Sequence, residues 1–175
     1  MPVEGWDLHR VETEILSQLD PNCHYSEWLL IGQCLHHQFN GDVEALELWD
    51  RWSAMGANYH TNACENKWKT FKGSGATLRS LIFIVNQQEK EAALARGEII
   101  LDDGAMNHAR TFLDNLFSSE EGYTVVHYSD DFYVYVGTHY EIFEEATIRS
   151  KLYNFLDKCK RTGKKGVLEA FNPSP

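Results

Sequence analysis

Apolar residues recur every three or four positions through the first half of the chain, which is the periodicity of amphipathic helices. A first helix is predicted to end at Asp20-Pro21-Asn22. Ser26 and Asp42 are predicted to cap the second and third helices, and Asn62 is predicted to open a capping box before the fourth. The apolar faces of the five helices carry Leu8, Val11, Ile15 and Leu19; Trp28, Ile31, Leu35 and Phe39; Ala45, Leu48, Trp49 and Trp52; Cys64, Trp68 and Phe71; and Leu78, Leu81, Ile82 and Val85.

The pattern changes after Gly97. Residues 97–104 resemble a linker, and a further helix is predicted with Phe112 on its inner face. Short runs rich in Val, Tyr and Phe follow at 123–128, 132–136 and 139–143, which predicts a small antiparallel meander. A last helix is predicted to end in the basic segment 158–165. The fold class is therefore mainly α with a small α+β unit: a helical bundle over 1–96, a linker over 97–104 and an α+β module over 105–175.

Tryptophan is concentrated in the bundle, where four of the rings fall within one short stretch. Because a buried indole ring contributes a large apolar area, we expect Trp28, Trp49 and Trp68 to form the core of the bundle. Trp52 is predicted to be partly exposed.

The acidic charge is unevenly distributed. The net charge is −10, and residues 1–60 contain ten acids against Arg10 and Arg51, so nucleic acid would be repelled except at local basic patches. The 43% hydrophobic content predicts a folded core. No secretory signal and no apolar run long enough to span a membrane is visible. The four cysteines form no CxxC pair, which favours a reducing, cytoplasmic setting.

No catalytic constellation is evident. Neither Gly73–Thr77 nor Gly163–Gly166 has the lysine, hydroxyl and spacing of a phosphate-binding loop, and no GxSxG motif is present. The histidines and the acid pairs at 102–103 and 130–131 are scattered, with nothing to fix a metal geometry. We predict no catalytic residue, no metal and no cofactor, and expect neither ATP hydrolysis nor primer synthesis by the chain alone.

Two basic clusters are the candidate DNA-binding residues. The first basic cluster is Lys67, Lys69, Lys72 and Arg79, and the second is Lys158, Lys160, Arg161, Lys164 and Lys165. Either cluster could contact phosphate or could be an ordinary solvated surface, and the second could be a helix end that favours cations.

Four spaced motifs carry a family resemblance. They are W-x-x-x-G-x-x-L-H, L-W-x-x-W-S, K-W-x-x-F and T-L-x-x-L, represented by Trp28, Gly32, Leu35 and His36; Leu48, Trp49, Trp52 and Ser53; Lys67, Trp68 and Phe71; and Thr77, Leu78 and Leu81. This stretch resembles the helical domain found C-terminal to primase catalytic domains in phage and plasmid replication proteins. The segments 132–137 and 148–156 resemble the region that precedes the ring helicase in primase–helicases.

The resemblance implies a non-catalytic replication module. Such a module would hold single-stranded DNA template, with an initiating nucleotide as a further candidate ligand, and would link a primase-polymerase to a ring helicase. The primase active site and the helicase ATPase of a complete member have no counterpart in these 175 residues. The alternative is an acidic adaptor that docks a replication partner through residues 1–60 without contacting DNA.

Overall fold

The helical periodicity of the first half of the chain corresponds to five α-helices in a computed structural model, which describes residues 1–72, 75–163 and 166–172. The helices are α1 (Leu8–Glu14), α2 (Tyr25–Gln38), α3 (Val43–Ser53), α4 (Ala63–Trp68) and α5 (Leu78–Ala95), and a 3₁₀ turn covers Leu16–Gln18. The chain divides into two compact units, residues 1–88 (unit 1) and 89–175 (unit 2), and each is described by itself. The mainly α class with a small α+β unit is confirmed.

The helix starts match the predicted caps only in part. Asp42 caps α3 as predicted, and its carboxylate accepts a hydrogen bond of 2.9 Å from the backbone N–H of Glu44. The residue that caps α2 is His24 rather than Ser26, and its ring accepts from the Ser26 N–H. Asn62 precedes α4 with φ +66° and makes no side-chain cap bond, so the predicted capping box does not form.

One prediction about the exposure of the tryptophans in unit 1 is wrong. Trp49 and Trp68 are buried as expected, but Trp52 is also buried, with 2% exposure. Its indole N–H donates to the carbonyl of Leu16 at 3.1 Å, so the polar end of the ring is satisfied within the core. Trp28 is partly buried and packs against this core from the edge, and its indole N–H donates to the hydroxyl of Ser53 at 2.8 Å.

Gly32 of α2 lies directly against the ring of Trp49 from α3. A Cβ built on Gly32 would lie 2.4 Å from Cζ2 of Trp49, inside the van der Waals distance, and the Trp49 ring is fully buried. Only glycine therefore lets the indole pack against the backbone of α2.

Unit 2 contains the predicted meander. Its strands are β4 (Val125–Tyr128), β5 (Asp131–Tyr135) and β6 (Tyr140–Phe143), paired antiparallel in sequence order. Ser129 and Asp130 join the first two strands with φ of 49° and 71°, which is the primed turn geometry that matches the twist of a hairpin. A shorter hairpin pairs β2 (Ser118–Ser119) with β3 (Gly122–Tyr123).

A second three-stranded sheet was not predicted. Strand β1 (Ile100–Leu101) lies within the predicted linker and pairs in parallel with β7 (Lys160–Thr162), which pairs antiparallel with β8 (Leu168–Ala170). The last helix ends at Leu156, so the basic segment after it begins a strand instead of ending a helix. Strands of two or three residues show no alternation, and their pairing depends on contacts between distant segments.

The core of unit 2 lies between the meander and two helices, α6 (Ala105–Leu116) and α7 (Glu145–Leu156). Phe112 contacts Phe117 and Phe155 edge-on, with ring centroids 5.5 and 5.6 Å apart. Val134 of β5 is buried against this cluster. The face of the meander that carries Val134 is therefore its inner face, which packs against the core of unit 2.

We expect Gly32→Ala to lower the free energy of unfolding by about 1–3 kcal/mol, because the added methyl group overpacks the buried Trp49 ring. Alanine is intrinsically better than glycine in a helix by about 1 kcal/mol, so a loss of stability must come from packing. Urea unfolding measures the effect. In a Trp49→Phe background, which lacks the clashing ring atoms, the same substitution should cost less, and an equal cost would contradict this explanation.

Candidate nucleic-acid interface

The first basic cluster surrounds the end of α4 and the start of α5. Trp68, the last residue of α4, is buried, whereas Lys69, the residue that follows the helix, is exposed. Lys69 forms an ion pair of 2.6 Å with Glu65, one turn earlier. Lys72 and Arg79 are exposed and form no ion pair within the described ranges. The predicted turn between them includes residues 73 and 74, which lie outside the described residues.

Lys67 lies against an aromatic pair. Its ammonium nitrogen is 5.8 Å from the centroid of the Tyr25 ring, within the range of a cation–π contact. Tyr25 in turn stacks on Trp28, with centroids 5.6 Å apart and an interplanar angle of 28°. The contact brings the first turn of α2 beside α4.

Tyr25 and Trp28 also border a cavity of about 230 Å³, which the sequence did not indicate. A cavity of about 150 Å³ can hold a benzene ring, so this one has room for a planar ring system. Its lining combines aromatic rings with amide, hydroxyl and imidazole groups from the loops before α2 and after α3. The lining residues are Pro21, Asn22, Cys23, Tyr25, Trp28, Ser53, Asn58, Tyr59, His60 and Ala63.

Sequence reasoning missed Tyr25 because it lies outside the apolar stripe of α2. The one signal was its spacing, since residues three positions apart share a helix face and Tyr25 precedes Trp28 by three. The loop residues of the cavity gave no signal, because they approach α2 only in the folded unit.

Glutamates pair with two of the three cations of the second basic cluster that the structure describes. Lys160 pairs with Glu98 at 2.6 Å, and Arg161 pairs with Glu169 at 2.8 Å. The hydrogen bond from Lys160, with a further one from Arg96, lowers the pKa of Glu98. Lys158 is exposed and has no ion pair in the described part of unit 2. Lys164 and Lys165 lie outside the described residues.

The thiols are poorly suited to nucleophilic chemistry. Burial raises the pKa of Cys34 and that of Cys64 to about 12, so both stay protonated at neutral pH. Burial also raises the pKa of Cys23, which lines the cavity, and of Cys159. Within residues 1–72, 75–163 and 166–172, no group of three or more His, Cys, Asp or Glu side chains is placed to hold a metal ion.

One comparison with known proteins gives a match, and it lies within the first unit. Residues 13–84 match the family model of primase C terminal 2 (PriCT-2). The predicted resemblance to a primase C-terminal domain is thereby confirmed over these residues. No curated protein and no solved structure matches the chain.

The PriCT-2 region contains the whole first basic cluster together with Tyr25 and Trp28. The second cluster and the meander lie beyond its last matched residue, so the resemblance of the later segments to a helicase-preceding region stays a prediction. None of the described helices is both long and apolar enough to cross a membrane.

His36, which lies within the matched residues 13–84, packs beside the tryptophan core. Its ring meets Trp68 and Phe71 edge-on, with centroids 4.9 and 5.7 Å apart. Its Nδ1 atom is buried and has no hydrogen-bond partner among the described residues. Burial lowers the pKa of His36, and the neighbouring His37 lowers it further.

We expect the stability of the chain to fall as the pH drops below about 6.5, the ordinary pKa of histidine. Unfolding lets His36 take up a proton that burial disfavours, so acid promotes unfolding. The melting temperature measured between about pH 7.5 and 5.5 should fall more steeply for the parent than for His36→Gln. His9→Gln, an exposed change on α1, should keep the parent's dependence. If the melting temperatures of the parent and of His36→Gln depend on pH in the same way, His36 is not the residue that makes acid destabilising.

Proposed function

We propose that this chain is a non-catalytic DNA-replication module of a phage- or plasmid-type primase–helicase system. It holds single-stranded template for priming, with an initiating nucleotide as a further ligand, and links the primase-polymerase to the ring helicase. The PriCT-2 match supports the association with a primase. A cytoplasmic location is part of the proposal, since four free thiols suit a reducing compartment.

The observation that carries template binding is the contact of Lys67 with the stacked Tyr25–Trp28 pair at the cavity. Proteins bind single strands by combining a cationic surface for the phosphates with aromatic rings on which bases stack. The exposed Lys72 and Arg79 extend the positive charge around α4 and α5. A base can stack on Tyr25 while its phosphates meet Lys67 and Lys72.

The second basic cluster has a smaller place in the proposal. Two of its described cations are already paired with Glu98 and Glu169, which reduces the positive charge that phosphate can meet. We therefore assign non-specific affinity to this cluster and specific positioning of the template to the first.

The test is binding of a fluorescent oligothymidine to the full chain, measured by anisotropy over a range of salt concentrations. Tyr25→Ala should weaken binding about tenfold and leave the salt dependence unchanged, because it removes stacking but no charge. Lys67→Gln combined with Lys72→Gln should weaken binding and flatten the slope of log affinity against log salt by roughly 0.7 for each phosphate that is no longer neutralised.

Lys151→Gln is the matched control for Lys67→Gln. Lys151 also lies over an aromatic ring, 5.9 Å from the centroid of Phe143, but it belongs to unit 2. It should bind oligothymidine like the parent. A control that weakens binding as much as Lys67→Gln, or a parent that does not bind at low salt, would refute template binding and leave the adaptor as the function.

A further inference from the structure

The meander of unit 2 presents a second surface that template binding does not use. Val125, Val134 and Phe143 pack on its inner side against the core of unit 2. Alternation along each strand, together with the pairing register, places His127, Phe132 and Glu141 on this inner side as well, and the other strand residues on the opposite side. The outer face consists of Asp131 and of the apolar and aromatic residues Val126, Tyr128, Tyr133, Tyr135, Tyr140 and Ile142.

The outer face is apolar and contiguous. The register aligns Val126, Tyr133 and Ile142 in one row across the three strands. In the next row, the rings of Tyr135 and Tyr140 have centroids 5.3 Å apart. A solvated face of an antiparallel sheet is normally polar, whereas here Ile142 is 61% exposed and Tyr128 is 71% exposed. Patches of this kind mark interaction sites in soluble proteins.

The charge of the same segment decides what can occupy the face. Residues 118–145 contain no lysine or arginine. Their acids are Glu120, Glu121, Asp130, Asp131, Glu141, Glu144 and Glu145. Of these, Glu145 is ion-paired with Arg149, and Glu141 contacts His139. Asp131 pairs with Tyr128 across the strands and so shares the outer side.

A strand of DNA is disfavoured on such a face. Tyrosines can stack on bases, but single-strand affinity depends on cations that meet the phosphates, and the meander supplies only acids. An apolar surface that includes Asp131, in a segment that contains seven acids and no lysine or arginine, is complementary to a polypeptide that carries both apolar and basic side chains.

We propose that the outer face docks a segment of a partner protein in which exposed apolar residues alternate with lysine or arginine. The apolar side chains contact the tyrosine rows, and the cations meet Asp131 and the negative charge of the other acids in residues 118–145. This surface lies in unit 2 and the proposed template site lies in unit 1, so separate variants test the two proposals.

The test uses the full chain and a labelled peptide of about 16 residues in which leucine and lysine alternate, measured by fluorescence anisotropy. A peptide with glutamate for lysine and one with serine for leucine are the probe controls. We expect the leucine–lysine peptide to bind tightest and to weaken between about 50 and 300 mM salt. Tyr135→Ser with Tyr140→Ser should weaken binding at least about tenfold.

Tyr153→Ser is the matched control, because Tyr153 is 42% exposed, as is Tyr135, but lies on α7. It should bind like the parent. Ile142→Ser, at an exposed position outside the core, provides a second variant if the tyrosine pair fails to fold, and it should also weaken binding. Circular dichroism checks the fold of each variant.

Several results would overturn this docking surface. One is failure of the leucine–lysine peptide to bind, or equal binding of either control peptide. Another is an equal loss of affinity in Tyr153→Ser. Loss of oligothymidine binding in the folded Tyr135→Ser, Tyr140→Ser variant would identify the face as a DNA surface. If sedimentation shows that the parent is a dimer and that this variant is a monomer, the occupant of the face is a second copy of the chain.

Discussion

The contact between the Trp49 ring and the backbone of α2 at Gly32 organises unit 1. Because no Cβ separates them, the indole lies fully buried between α2 and α4. Its ring centroid is 4.5 Å from that of Trp28 and 5.9 Å from that of Trp68. These contacts hold three helices together, and the first turn of α2 therefore comes beside the lysines of α4. The candidate interface depends on this packing.

The residues that carry the family resemblance, which lie within the matched range 13–84, are mostly core residues. Gly32 provides space for Trp49, and Ser53 accepts hydrogen bonds from Trp28 and from the thiol of Cys64. Tyr25, which contributes to the cavity and the aromatic pair, lies outside those motifs. A match over residues 13–84 therefore reports a shared helical scaffold, and the ligand must be inferred from the side chains around it.

The ion pairs that each charged residue forms distinguish the surfaces of unit 1 and unit 2 more clearly than the net charge does. The first basic cluster keeps Lys72 and Arg79 without ion pairs in the described structure, whereas glutamates neutralise Lys160 and Arg161. The meander has acids and exposed tyrosines but no lysine or arginine. Under the two proposals, the first basic cluster takes an anionic ligand and the meander a cationic one, so a single chain of net charge −10 would offer two opposite surfaces.

The sequence by itself determined the helices, the meander and the fold class, because periodicity and turn residues act over a few neighbouring positions. Asp42 capped its helix as predicted, and the hairpin turn at Ser129 and Asp130 lies between the predicted strands. Tertiary structure decided which tryptophan is buried, since Trp52 reaches a carbonyl in the core while Trp28 stays at the edge. It also decided the parallel pairing of β1 with β7 and the contact of Lys67 with Tyr25. Each of these joins residues far apart in the chain, and no local pattern records such a contact.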